Sequence, residues 1–121
     1  MTRNALLIAA AFIGTLFTTA DADARSLSGR NQTTTRVRAF GTDRFRPITF
    51  MKGEIASVIL KGDGDTDLDL YVYDEYGTLV AKDDDYTDGC VAMWTPRRTA
   101  PFYIVVRNRG RVYNQYVMIT N

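Results

Sequence analysis

The chain has 121 residues, with 15 Lys and Arg against 14 Asp and Glu, a formal net charge of +1, and no histidine. The lack of histidine excludes Ser-His-Asp and Cys-His catalysis and every histidine-containing zinc site. The single cysteine, Cys90, excludes an internal disulfide and a cysteine-based zinc site. Because Cys90 alternates with Ala92 and Trp94, we expect a buried thiol.

The N-terminal residues 1–24 have the pattern of a secretory signal peptide. Arg3 precedes an apolar run at residues 5–17, and small residues follow, with expected cleavage after Ala22 or Ala24. The run is shorter than the about 20 residues of a bilayer-spanning helix. We therefore expect a secreted or periplasmic bacterial protein without a membrane span in the mature chain; an uncleaved anchor is the alternative.

The rest of the chain predicts a polar, loose leader at residues 25–36 and a single domain at residues 37–121. Short strand-like runs alternate with turn residues, and no helical period exceeds a turn. Eight strands are predicted, at residues 33–40, 45–52, 54–61, 68–74, 78–82, 90–95, 102–108 and 112–120. This spacing predicts an all-β antiparallel sandwich or jelly roll.

Two turn signals and the strand alternation refine this prediction. Gly77 is expected to supply a positive φ in a hairpin loop, and Pro47 is expected at an edge or at the start of a strand. The predicted core consists of Ile55, Val58, Leu60, Leu68, Leu70, Val72, Leu79, Ala92, Trp94, Ile104, Val106, Tyr116 and Met118.

The acidic residues concentrate in one part of the chain. In the stretch GDGDTDLDLYVYD at residues 62–74, odd positions carry Asp65, Asp67 and Asp69, followed by Tyr71 and Tyr73. Since side chains alternate along a strand, the carboxylates would share one face. A second group, Asp83, Asp84, Asp85 and Asp88, follows after a short connection.

A hard cation explains this column of carboxylates, because Asp is depleted from strands and like charges repel. Calcium takes six to eight oxygen ligands, more than one strand supplies, so the second group would close over the first. The predicted ligands are Asp65, Asp67, Asp69, Asp83, Asp84, Asp85 and Asp88. A solvated acidic edge and pairing with arginine are the alternatives.

Tyrosine and arginine residues outline a second candidate surface. Tyr71 and Tyr73 lie beside the carboxylates, and Arg107 and Arg109 lie near the C-terminal end. These residues could contact a peptide, a glycan or a polyanion, although cross-strand packing and solvated strand ends explain them equally well. Paired carboxylates also occur in glycosidases, but nothing here indicates a buried acid with a raised pKa.

The segments GDGDTDLDLYVYDEYGTLVAKDDD and WTPRRTAPFYIVVRNRG together resemble the bacterial pre-peptidase C-terminal domain. That family comprises secreted jelly-roll modules related to the collagen-binding domains of clostridial collagenases. The resemblance covers residues 50–121, and more loosely residue 37 onward. It implies a non-catalytic accessory domain, often stabilised by calcium, with ligands at Asp67 and Asp69 and help from residues 83–85.

The sequence thus predicts an exported, non-catalytic β-sandwich module with a structural calcium ion. We expect it to act in extracellular or envelope binding or as an accessory to secreted enzymes, with a protein or polysaccharide partner and no nucleic acid. The alternative is a metal-free protein that binds a cell-wall polymer or partner protein through its Tyr and Arg surface.

Overall fold

The computed structural model describes residues 31–121 and contains nine strands in that range. In chain order they are β1 (Asn31–Val37), β2 (Thr42–Arg44), β3 (Ile48–Phe50), β4 (Ala56–Lys61), β5 (Leu68–Tyr73), β6 (Leu79–Asp83), β7 (Gly89–Trp94), β8 (Ala100–Asn108) and β9 (Asn114–Thr120). Among these residues there is no helix long and apolar enough to cross a membrane. The predicted signal peptide, residues 1–24, lies outside the described residues.

The strands form two antiparallel sheets, which confirms the predicted β-sandwich. One sheet has the order β1-β9-β4-β7, and the other has the order β2-β8-β5-β6 with β3 also paired to β8. Sequence neighbours therefore often lie in different sheets, which is the strand order of a jelly roll. The loop between β4 and β5 lies beside the loop between β8 and β9. A backbone hydrogen bond joins them, in which Arg109 N donates to Asp67 O.

The second predicted strand, residues 45–52, differs from the structure. Only Ile48–Phe50 is a strand there, and a strand at Thr42–Arg44 was not predicted. Both short strands pair with β8, with Thr42 opposite Arg107 and Ile48 opposite Phe102. Pro47 lies between them, and because proline has no N–H group it interrupts the ladder.

The described residues begin with a strand. A compact unit spans Gln32–Thr120. Strand β1 begins at Asn31, within the segment assigned to the leader, and its last residue, Val37, is buried.

The core lies between the two sheets and contains most of the predicted residues. Buried members of the predicted set are Val58, Leu60, Leu68, Leu70, Val72, Ala92, Ile104, Val106, Tyr116 and Met118. Trp94 is only partly buried, and it packs against Phe50 and Phe102, two core residues that were not predicted.

Two predicted core residues are exposed instead. Ile55 is 58% exposed because β4 begins at Ala56, and Ala56 takes the inward position. Leu79 is 43% exposed. Ala81, opposite Val72, packs against the core. A register shift between Val72 and Tyr73 places Leu79 opposite Tyr73, so the side chain of Leu79 does not point to the same side as that of Ala81.

Buried polar groups join the two sheets. Tyr116 on β9 is fully buried, and its hydroxyl donates to Asp43 Oδ2 on β2 at 2.7 Å. Burial, followed by the hydrogen bond to Asp43, raises the pKa of the Tyr116 hydroxyl. Because β9 and β2 belong to different sheets, this hydrogen bond links the layers at the side chain of Tyr116.

Cys90 is buried, as predicted. Its thiol donates to the carbonyl of Leu68 at 3.1 Å. Burial, with a smaller contribution from Asp83, raises the pKa of this thiol to about 12. The thiol therefore remains neutral at physiological pH and acts as a small apolar group.

Candidate metal site at the start of β5

The predicted column of carboxylates is only partly a feature of a strand. Strand β5 begins at Leu68, so Asp65 and Asp67 lie in the preceding loop and Asp69 lies in the strand. Asp65 is exposed, Asp67 is half-buried and Asp69 is buried. Asp67 and Asp69 therefore form the enclosed part of the predicted site, and Asp65 lies outside it.

Asp69 is the most enclosed of these carboxylates. It is 2% exposed, although its side chain belongs to the face of β5 opposite Leu68 and Leu70. Arg109 Nε donates to Asp69 Oδ2 at 2.6 Å, and the Tyr71 hydroxyl donates to the same oxygen at 3.3 Å. The alternative of arginine pairing is thus realised at one oxygen of Asp69.

Asp67 has a different environment. Burial raises the pKa of its carboxyl group above the ordinary value, the charge of Asp69 raises it further, and Asp85 adds to this effect. Arg109 opposes these effects and lowers the pKa of Asp67. Arg109 therefore only partly offsets the effects that disfavour the Asp67 carboxylate.

The clearest sign of a missing partner is the state of two oxygen atoms. Asp67 Oδ1 and Asp69 Oδ1 are buried and have no hydrogen-bond partner; the third such side-chain atom in residues 31–121 is Trp94 Nε1. Buried polar atoms in folded proteins are almost always hydrogen-bonded, so each exception requires a physical reason. Two buried carboxylate oxygens without donors are suited to a hard cation.

The second acidic group does not close over this pair as a unit. Asp84 forms an exposed ion pair with Lys82, with Nζ and Oδ2 3.1 Å apart. Asp85 Oδ1 accepts from Thr87 N and from the Thr87 hydroxyl, and Asp85 also raises the pKa of Asp67. Asp85 is therefore the member of this group that acts electrostatically on the Asp67 carboxyl.

Asp83 and Asp88 bind backbone N–H groups. Asp83 Oδ2 accepts from Val91 N at 2.9 Å, on the edge strand β7. Asp88 Oδ2 accepts from Gly64 N and from the Asn114 amide. Asp83 thus connects strands β6 and β7, and Asp88 connects two loops and the start of β9.

The oxygen donors that the protein offers here are few. Between residues 31 and 121, no three Asp, Glu or Cys side chains converge closely enough to hold a metal by themselves. Asp67 and Asp69 could supply one oxygen each, and water would complete the coordination shell of six to eight oxygens. Calcium affinity depends on the number of charged ligands and on the rigidity of the site, and the weakest sites, found in extracellular modules, have dissociation constants of about 10⁻⁴ to 10⁻³ M.

The predicted Tyr and Arg surface lies on the outer face of the five-stranded sheet. Tyr73 is directly opposite Tyr103 on β8, and Asp69 is directly opposite Arg107. Tyr103 is 41% exposed, and Tyr71 and Tyr73 are half-buried. The sheet thus aligns Tyr71, Tyr73 and Arg107 on one face, whereas Arg109 follows β8 in the next loop and reaches back to Asp69.

Two buried asparagines support this end of the sandwich and were not predicted. Asn108 Nδ2 donates to the carbonyls of Arg38 and Val112, and its Oδ1 accepts from Gly110 N. Asn114 Nδ2 donates to the Thr66 hydroxyl. Asparagine is common in loops, so the sequence gives no signal that these two are buried at loop junctions.

Comparison with known proteins supports the fold alone. No protein-family model and no curated protein matches this chain. Among solved structures, the Yersinia pseudotuberculosis-derived mitogen YPM is similar, with a TM-score of 0.55 and 11% sequence identity over 76% of this chain and 84% of that chain. At this identity the similarity concerns the arrangement of strands.

Proposed function

We propose that this chain is an exported, non-catalytic β-sandwich module that holds a structural calcium ion at Asp67 and Asp69. The observation that carries the proposal is the pair of buried, unpartnered oxygens, Asp67 Oδ1 and Asp69 Oδ1. The module would act in extracellular or envelope binding or as an accessory to a secreted enzyme. The resemblance of residues 50–121 to the pre-peptidase C-terminal domain supports this role.

A bound calcium ion would supply positive charge at two carboxylates that act on each other electrostatically. Asp67 lies in the β4–β5 loop, whereas Asp69 is in β5. Calcium held by both would fix the loop to the strand. The calcium ion would thus compensate the charge of the two carboxylates and hold the loop in place.

Calcium titration of thermal stability tests this proposal. For a ligand that binds only the folded state, a concentration about 20-fold above the dissociation constant stabilises by about 1.8 kcal/mol. In a domain of this size, that gain raises the melting temperature by about 7 °C or more. We expect this rise at about 10 mM calcium, because the site belongs to the weak class.

The substitution Asp67→Ala provides the matched test, because it leaves the Asp69–Arg109 ion pair intact. This variant should lose the calcium-induced rise, whereas Asp84→Ala, which removes the same charge from an exposed ion pair, should retain it. In EDTA, Asp67→Ala should be at least as stable as the wild type, since burial disfavours the Asp67 carboxylate. A wild-type melting curve unchanged by calcium and EDTA would remove the metal proposal.

The alternative is a metal-free module that binds through its Tyr and Arg surface. The alignment of Tyr73 with Tyr103, on the sheet face that also carries the exposed Arg107, favours it. In this case the chain should bind an anionic cell-wall polymer with an affinity that falls at high salt and does not respond to EDTA. The double variant Tyr73→Ala, Tyr103→Ala should then lose binding.

A further inference from the structure

Arg109 binds a carboxylate for which a bound metal ion would compete. Its Nε is 2.6 Å from Asp69 Oδ2, and its backbone N–H donates to Asp67 O at 2.9 Å. The guanidinium therefore contacts the carboxylate of Asp69, and its charge also acts on the carboxyl group of Asp67, whose pKa it lowers. In the absence of a metal, it is the cation that compensates Asp69.

The charges of this group do not balance. The two aspartates are accompanied by one guanidinium, which contacts Asp69, so the group carries a net negative charge, and one oxygen of each carboxylate has no donor. Adding a divalent cation would reverse the sign and place two positive groups on the same pair of aspartates. In a partly enclosed site, repulsion between a divalent ion and a guanidinium a few ångströms away greatly exceeds thermal energy.

The Arg109 side chain is far more open to solvent than its partner. It is 46% exposed, whereas the side chain of Asp69 is 3% exposed. The backbone of Arg109 is held by the hydrogen bond to Asp67 O, and the neighbouring Gly110 N–H is held by Asn108 Oδ1. The guanidinium can therefore leave Asp69 through side-chain rotation while the loop stays in place.

We propose that Arg109 is a tethered competitor for calcium: its guanidinium compensates Asp69 when calcium is scarce, and calcium displaces it. This inference rests on the proposed calcium site and assigns a role to a residue outside the ligand set. Because the competitor is part of the chain, its effective concentration is high and it lowers the apparent calcium affinity. The same coupling means that bound calcium weakens the Arg109–Asp69 ion pair.

The substitution Arg109→Gln tests the competition. We expect this variant to melt at a lower temperature than the wild type in EDTA and to bind calcium at least 10-fold more tightly by calorimetry. Arg107→Gln is the matched control, since it removes the same charge from an exposed residue that lies opposite Asp69 in the sheet register. Its calcium affinity should stay within about twofold of the wild type, and Arg109→Lys, which keeps a tethered charge, should resemble the wild type more than Arg109→Gln does.

Three outcomes decide between the proposals. If Arg109→Gln binds calcium no more tightly than the wild type, while the wild type does bind, the competition is refuted and the calcium site remains. If Arg107→Gln gains as much affinity as Arg109→Gln, the effect is general electrostatics and the assignment to Arg109 fails. If neither the wild type nor Arg109→Gln binds calcium at millimolar concentrations, both proposals fail.

A measurement on the wild-type protein avoids any dependence on folding of the variant. In nitrogen-15 NMR spectra, the Nε–H signal of Arg109 should be shifted and protected from solvent exchange in EDTA, because it donates to buried Asp69. Saturating calcium should remove this protection. An Arg109 Nε–H signal that stays protected while calcium is bound would overturn the displacement.

Discussion

The hydrogen bond between Tyr116 and Asp43 gives the most direct test of how the two sheets are joined. Tyr116→Phe removes a fully buried hydroxyl that donates to Asp43 Oδ2 at 2.7 Å. A hydrogen bond to a charged group contributes about 1.5–3 kcal/mol. For a domain of 60–100 residues, each 1 kcal/mol shifts the melting temperature by about 4–8 °C, so we expect a decrease of about 6 °C or more.

Alkaline pH should reduce this difference, because the folded state raises the pKa of Tyr116. Below the unfolded pKa of about 10, the stabilisation by Tyr116 is complete. At higher pH the unfolded chain releases the phenol proton while the folded chain retains it. The wild type should therefore lose its advantage over Tyr116→Phe by about 1.4 kcal/mol per pH unit.

Urea unfolding followed by circular dichroism between pH 7 and 11.5 measures both effects. The control is a double-mutant cycle with Asp43→Asn, in which the coupling energy isolates the pair. A loss below about 0.5 kcal/mol at pH 7, the range of ordinary surface substitutions, would refute the reasoning. An advantage that stays constant above pH 10 would show that the hydroxyl is not protected from ionisation.

Three further experiments test the core, the thiol and a turn. Ile104→Ala should cost about 2–5 kcal/mol in urea unfolding, because Ile104 is fully buried; a cost below 1 kcal/mol would place it outside the core. Cys90, whose pKa is raised to about 12, should react with a thiol reagent only after unfolding in urea. Gly77→Ala should lose about 1 kcal/mol because Gly77 has a φ of 82°, whereas Gly89→Ala, which meets no atom within 4 Å, should be neutral in the same melts.

The sequence predicted the sandwich because alternation and turn residues are local signals. Strands β4, β5, β7, β8 and β9 lie within or close to their predicted ranges, and the predicted positive φ at Gly77 is present. Strand β2, with the polar sequence TDR, has no apolar alternation, and only its pairing with β8 makes it a strand. Leu79 shows the same limit, since a register shift in the β5–β6 pair turns its side chain away from the core.

The candidate site was predicted in composition but not in geometry. Periodicity indicated that Asp67 and Asp69 belong together, but it could not show that Asp69 is buried by contacts from a distant loop. Arg109 is 40 residues from Asp69 in the chain, and only the packing of the two loops makes them partners. Asp84 and Asp88 have the same side chain as Asp67 and Asp69, yet they bind Lys82 and Gly64 N instead.

The carboxylate of Asp83, which accepts a hydrogen bond from Val91 N, has a consequence for the protein at high concentration. Strand β7 ends the four-stranded sheet, and such a border offers backbone groups to any chain that can add a strand. A newcomer at β7 would have to compete with an attached carboxylate for that N–H group. A charged side chain at such a border is one of the ways in which natural sheets avoid edge-to-edge association.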